Sequence, residues 1–207
     1  MKVLLINGSP NEHGCTYTAL REVAGALRNE GIETELFHIG DGSAQGCTGC
    51  HGCAKTGKCV FGDDCVNELT EKAKEADGFV FGSPVHYAAP AGKLCAVLDR
   101  CFYSGSSAFR FKPGAAVVSC RRAGSTAALD RLIKYFTISN MPVVSSQYWN
   151  MVHGNTPEQV LADGEGMQTM RLLGANMAWL LKCIELGRQN GITKPVPEPR
   201  IMTNFHR

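Results

Sequence analysis

Four cysteines fall in one short run, C-T-G-C-H-G-C-A-K-T-G-K-C, at Cys47, Cys50, Cys53 and Cys59. The C-x2-C-x2-C-x5-C spacing lets a tight loop aim three sulfurs at a common point, and a fourth joins after a glycine turn. An all-thiolate set suits an iron-sulfur cluster or zinc. Structural zinc usually joins two separated C-x-x-C knuckles, so the compact triple favours a [4Fe-4S] cluster. The run differs from that of bacterial ferredoxins, whose fourth cysteine comes three residues on and precedes proline. The competing reading is thiols that pack as small apolar groups. Cys15 and Cys120 stand beside other loops, while Cys65, Cys95, Cys101 and Cys183 read as core thiols of helices. No Cys-His-Asp arrangement is recognisable, so no covalent catalysis is assigned.

A second chemistry is written at the start of the chain. The apolar run Val3 to Ile6 ends in Gly8-Ser9-Pro10 and leads into a helix, with Ser9, Thr16 and Thr18 supplying hydroxyls. In open α/β sheets ligands bind beyond the carboxyl ends of strands, and a helix N-terminus there favours phosphate. Neither G-x-G-x-x-G nor G-x-x-x-x-G-K-[ST] is present, so a mononucleotide fits better than a dinucleotide or a Walker site. An ordinary capped turn is the alternative. Two further loops, Ser83-Pro84-Val85-His86-Tyr87 and Ser119-Cys120-Arg121-Arg122-Ala123-Gly124, follow later strands and can converge on the same ligand. Tyr87 can stack on a flat ring, and the amides of 121–124 can meet a ring's polar edge.

The elements that must carry these loops are legible in the hydrophobic pattern. Strands are expected at Lys2–Asn7, Glu33–Ile39, Gly78–Gly82, Ala115–Cys120 and Pro142–Tyr148. Between them lie helices: one with Leu20, Val23, Ala24 and Leu27 on a single face, then Val66–Ala76 capped near Asp63 or Asp64, 91–103, and Ser125–Ser139. A long final helix covers Gly166–Glu185, with Trp179, Leu180 and Leu181 in the core. Strands alternating with amphipathic helices predict an α/β fold: a doubly wound, five-stranded parallel sheet with helices on both faces. Residues 1–192 read as one domain. Residues 193–207, with Pro195, Pro197 and Pro199, read as an irregular arm.

Composition narrows the partners. The 207 residues carry 21 Lys plus Arg against 19 Asp plus Glu, a net charge of +2. That balance argues against nucleic acid or an anionic membrane, both of which select a basic patch. No apolar stretch is long enough to span a bilayer, and the N-terminal apolar run is too short for a signal peptide, so a cytoplasmic location is expected. A disulfide framework is not expected for such a chain.

Gly8-Ser9-Pro10, Thr16 opening its helix, Gly82-Ser83-Pro84-Val85 with Tyr87, and Asp99-Arg100 at a helix end together resemble the NADPH-dependent FMN reductase family. The resemblance spans nearly the whole chain and implies a flavodoxin-like fold and bound FMN. It puts Ser9 and Thr16, with Tyr17 and Thr18 beside them, at the FMN phosphate, and Pro84, Val85, His86 and Tyr87 near the isoalloxazine ring. Arg121, Arg122 and Gly124 would flank the ring's polar edge. Asn11 stands where many relatives carry arginine, which removes one charge from the phosphate site; His13 is a neighbouring solvated histidine. The cysteine spacing is similar to that of the iron-sulfur flavoprotein branch, which passes electrons between a [4Fe-4S] cluster and FMN. That branch implies a homodimer or homotetramer. Asp99-Arg100 resembles the family's structural ion pair.

Three functions follow from this reading. The first is an FMN-dependent oxidoreductase moving electrons from NAD(P)H to a quinone or other small-molecule acceptor, the cofactor doing the chemistry. The second is an electron carrier linking ferredoxin, a [4Fe-4S] cluster and FMN. The third is a non-enzymatic flavin-binding module. The segment Tyr148 to Gly154 either walls the flavin pocket, with His153 as a proton donor, or forms a subunit interface.

Overall fold

The computed structural model describes residues 1–199 together with Ile201 and Thr203. In chain order the elements are β1 (Lys2–Asn7), α1 (Cys15–Asn29), β2 (Glu33–His38), the single turn α2 (Cys53–Thr56), α3 (Val66–Glu75), β3 (Gly78–His86), β4 (Ala89–Pro90) and α4 (Gly92–Gly105). A 3-10 turn at Ser106–Ala108, β5 (Gly114–Cys120), α5 (Ser125–Ile138), β6 (Met151–His153), α6 (Pro157–Ala162) and α7 (Gly164–Gln189) follow. The sheet order is β2-β1-β3-β5-β6, all parallel, with β4 folded back antiparallel on β3. With that hairpin strand set aside, this is the doubly wound order of the flavodoxin-like fold, whose switch point lies between β1 and β3.

Side chains alternate across the sheet, so each central strand builds two cores. Leu4, Ile6, Phe79, Phe81, Ala116 and Val118 face α3, α4 and α5. Val3, Leu5, Val80, Ala115 and Val117 face α1 and α7. Both faces are covered, which is why these strands are continuous apolar runs rather than alternating ones.

The fifth expected strand is corrected. Pro142 to Val144 flanks β5 only at its start, through Gly114 N–H to Pro142 O and Val144 N–H to Gly114 O, both 2.9 Å. The chain then leaves the sheet and pairs again as β6, from Val118↔Met151 to Cys120↔His153. The reason is competition from α7. Ser146 Oγ donates to Thr169 O at 2.7 Å and Asn176 Nδ2 donates to Ser145 O at 2.9 Å, which pulls 145–146 off the sheet edge.

The other differences are smaller. β3 runs past Gly82 to His86 because β5 continues to pair with it and β4 pairs with its tip. The N-cap of α3 is Cys65, which makes no side-chain capping bond, rather than Asp63 or Asp64; Asp64, one residue earlier, accepts from Val66 N–H at 3.1 Å. α7 starts two residues before the expected helix, capped by Asp163, and α6 forms where a loop was expected. Trp179 is 67% exposed rather than core, while Ala178 and Leu181 are buried; neighbours along a helix face different ways. Cys183 is likewise exposed, whereas Cys101 is buried. The arm has no helix or strand over 193–199; Arg200, Met202 and 204–207 lie outside the described residues. No described helix is long and apolar enough to cross a membrane.

Candidate functional site

Three loops meet at the carboxyl ends of β1, β3 and β5. The first is tied down by its own hydrogen bonds. Asn7 Oδ1 accepts from Ser9 N–H at 3.1 Å, Ser9 Oγ accepts from Asn11 N–H at 3.0 Å, and Asn7 Nδ2 donates to Glu12 O at 2.9 Å. His38, at the end of β2, places Nε2 at 2.8 Å from Ser9 O. Gly8 N–H donates to Gly82 O at 2.8 Å, which joins this loop to β3. A side chain at Gly8 has no room: its Cβ would stand 2.9 Å from Gly82 O and 2.6 Å from Leu94 Cδ2.

The loop delivers α1 with its first turn unsatisfied. Gly14 is the N-cap and has no side chain to offer, and no acidic residue occupies the first turn. The amides that open a helix carry a partial positive charge and need an acceptor. This start therefore fits a phosphate, and the fit rests on the chain's own geometry. The Thr16 hydroxyl is engaged inside the fold: its Oγ1 lies 2.9 Å from Ser119 Oγ, and both residues are buried. Ser9 is buried too and keeps its hydroxyl proton free of the Asn11 bond.

The second and third loops interlock. Gly124 adopts a φ of +86°, and a Cβ there would stand 2.9 Å from Ala88 Cα and 3.2 Å from Val85 Cγ1. At the tip of the β3–β4 hairpin, Tyr87 and Ala88 have φ of +50° and +60°. Non-glycine residues held in this region store about 1–3 kcal/mol each, a cost that clusters at ligand sites. The Tyr87 ring is fully exposed above the junction. Pro84 and Val85 are half-buried, while His86, Arg121 and Arg122 are exposed.

Not every expected residue reaches this junction. Thr18 Oγ1 donates back to Gly14 O at 3.1 Å. Tyr17 and Thr18 line a separate groove of about 360 Å³ with His13, Arg21 and residues of α6. His13 packs edge-on against Tyr17, ring centroids 4.7 Å apart. Asn11 is exposed at the loop's tip. Burial raises the thiol pKa of Cys15 and of Cys120, so both stay protonated and weakly nucleophilic. His153 is about half exposed, and its backbone N–H donates to Asp163 Oδ2 at 2.7 Å.

The cysteine run forms a second place. Cys47, Cys50, Cys53 and Cys59 all line one narrow pocket of about 30 Å³, closed by Phe61 and by Arg100 and Tyr103 of α4. Among the described residues, no three His, Cys, Asp or Glu side chains stand close enough to hold one metal ion. The loop is half fixed. Cys59 is clamped by Asn67 of α3, which accepts from its N–H at 2.9 Å and donates to its carbonyl at 3.0 Å. Cys53 sits on α2 with Sγ 3.8 Å from Tyr103 O. Cys47 and Cys50 are exposed, on a limb that turns through positive φ at Gly49 and His51. All four donors are soft sulfurs, the chemistry that iron-sulfur clusters take, although in this arrangement no three of them converge on one point. Arg100 lies about two helical turns, roughly 12 Å, along α4 from Gly92, where that helix begins beside the three loops.

Sequence reading missed His38, which anchors the first loop, and Asn67, which grips Cys59; it named Ser119 and Arg100 but not their bonds to Thr16 and to Cys59. The signal for Ser119 was a polar residue near the carboxyl end of the otherwise apolar β5, and for His38 its place at the carboxyl end of β2. Asp99 and Arg100 do not pair with each other: Asp99 accepts from Tyr135 Oη at 2.5 Å, while Arg100 pairs with Asp64.

The sequence pattern of the NADPH-dependent FMN reductase family matches residues 1–156, which include all three loops and the cysteine run. An iron-sulfur flavoprotein of Methanocaldococcus jannaschii is 35% identical over 194 residues, 89% of this chain and 100% of that protein. An iron-sulfur flavoprotein of Methanosarcina thermophila is 26% identical over 193 residues, 91% of this chain and 99% of that one. Among solved structures, RosB with a bound 8-demethyl-8-formylriboflavin-5'-phosphate intermediate superposes with a TM-score of 0.69 at 15% identity, over 100% of this chain and 96% of that chain. An archaeal flavodoxin superposes with a TM-score of 0.59 at 14% identity, over 88% of this chain and 99% of that one. The structures attest the fold. The family pattern and the full-length relative go further: the chain belongs to the NADPH-dependent FMN reductase family, in its iron-sulfur flavoprotein branch.

Proposed function

We propose that this chain is an FMN-dependent oxidoreductase that works as an electron carrier, with FMN at the three loops and a [4Fe-4S] cluster on Cys47, Cys50, Cys53 and Cys59. The observation that carries the reading is that all four thiols line one pocket of a fold whose α1 start is left open for a phosphate. When bound, FMN supplies one- and two-electron chemistry, and the cluster supplies single-electron transfer.

The chain's own residues bind and orient. The α1 amides at Cys15 to Tyr17 and the Ser9 hydroxyl hold the phosphate, with Asn11 at the rim. Pro84, Val85 and Tyr87 shape the ring's surroundings, His86 stands at the hairpin, and the amides of Arg121, Arg122 and Gly124 meet its polar edge. Thr16 works through its amide and by fixing β5 to α1. No protein acid or base is required, which accords with the neutral thiols of Cys15 and Cys120. Assembly as a homodimer or homotetramer, which sedimentation would measure, would cover the exposed Trp149 and Trp179.

The donor is tested by mixing the anaerobically purified protein separately with reduced ferredoxin, NADH and NADPH while following flavin absorbance. The carrier reading expects bleaching by reduced ferredoxin. Fast bleaching by NADPH alone, followed by turnover on a quinone in protein without iron, supports direct NAD(P)H oxidation instead. A protein that takes up no FMN overturns both.

A further inference from the structure

We infer that Arg100 is a positioning residue for the cysteine site: it holds the Cys59 sulfur and sets the potential at which that site accepts an electron. The inference rests on the proposed cluster, but the observation behind it is independent of any bound group. Arg100 is only 1% exposed, a rare burial for a guanidinium. Its Nε donates to Cys59 Sγ at 3.1 Å, Nη1 to Gln45 O at 3.2 Å, and Nη2 to Phe61 O at 3.0 Å. Nη1 also pairs with Asp64, and the group lies 5.3 Å from the centre of the Phe61 ring. One side chain on a rigid helix thus grips the cysteine loop at Gln45, Cys59, Phe61 and Asp64.

The purpose of so many bonds is not accounted for by folding alone. A buried ion pair is often no more stabilising than apolar packing of similar volume. What apolar packing does not supply is an N–H aimed at a sulfur. Hydrogen bonds to ligand sulfurs help set the potentials of iron-sulfur sites. When the site gains one electron, negative charge on its sulfurs rises, so a donor at Cys59 stabilises the reduced form. Asp64 balances the charge of Arg100. The directional N–H to sulfur bond is then the larger part of the effect.

Two variants test this. Arg100→Lys keeps a cation but puts a methylene where Nε stood; Arg100→Met with Asp64→Asn removes both charges and the donor together. Iron content, FMN content and melting temperature are measured for each, and the site is titrated anaerobically with dithionite through mediators. A charge-assisted bond of this kind predicts roughly a tenfold loss in the reduction equilibrium, about 59 mV more negative for one electron. Loss of iron in both variants, with FMN binding and melting unchanged, equally supports a positioning role. Iron retained at the wild-type potential in either variant overturns the inference and leaves the cluster intact. Joint loss of FMN and cooperative melting in both variants overturns it as well, since Arg100 would then serve the fold. Absence of iron from the anaerobic wild-type protein overturns the cluster reading, and this inference with it.

Discussion

Replacing Gly124 with alanine tests whether the second and third loops are locked together as the structure shows. Two costs separate. The left-handed backbone, φ +86°, costs an L-residue roughly 1–2 kcal/mol. The added methyl, 2.9 Å from Ala88 Cα and 3.2 Å from Val85 Cγ1, adds overpacking of about 1–3 kcal/mol. Gly31 provides the control, because its φ is +78° and a Cβ added there would meet no atom within 4 Å. Gly31→Ala therefore incurs only the first cost, about 1–2 kcal/mol, and Gly124→Ala about 2–5 kcal/mol. If the β3–β4 hairpin yields, part of that cost moves from stability to FMN affinity, where about 1.4 kcal/mol equals a tenfold loss. Urea unfolding of the FMN-free protein and titration of flavin fluorescence read the two quantities. Equal stability losses and unchanged FMN affinity in both variants would refute the interlock.

Thr16→Val leaves the buried Ser119 hydroxyl without its 2.9 Å partner, and is expected to cost about 1–3 kcal/mol in denaturation; adding Ser119→Ala should restore most of it. Glu35 receives hydrogen bonds from Lys2 and Lys72, which hold its carboxyl below the ordinary value of 4.5. With the folded pKa below the unfolded one, its contribution is complete above that value and disappears as pH falls through the folded pKa. Glu35→Gln should flatten that acid limb of the urea midpoint against pH, and an unchanged limb would contradict the assignment. Burial pushes the Cys101 thiol up to about 12, so in metal-free protein alkylation should reach exposed Cys47, Cys50 and Cys183 first and Cys101 only on unfolding. Peptide mass spectrometry reads the order.

The central sheet was legible because its strands are buried on both faces and therefore apolar without interruption, as at Val3 to Ile6 and Ala115 to Val118. The edge was not. Pro142 to Tyr148 has the composition of a strand, and nothing local reveals that Ser145 and Ser146 bond to α7 across the chain. The same limit applies to the sites. Cys47, Cys50, Cys53 and Cys59 announce themselves by spacing, and Gly8-Ser9-Pro10 by its place after a strand. Arg100 and Asn67 act on Cys59 from 41 and 8 residues away, through helices whose apolar faces say nothing about their polar partners. Thr16 shows the converse: a hydroxyl in the right place by sequence turns to Ser119 in the fold.

The most direct test of the proposed electron carrier is the iron and acid-labile sulfide bound per FMN after anaerobic purification, measured side by side in the wild-type chain and in Cys59→Ser. The prediction is about four irons and four sulfides per FMN in the wild type, falling sharply in the variant while FMN content stays the same. Wild-type protein that binds FMN but carries no iron, or iron that survives Cys59→Ser undiminished, would contradict it.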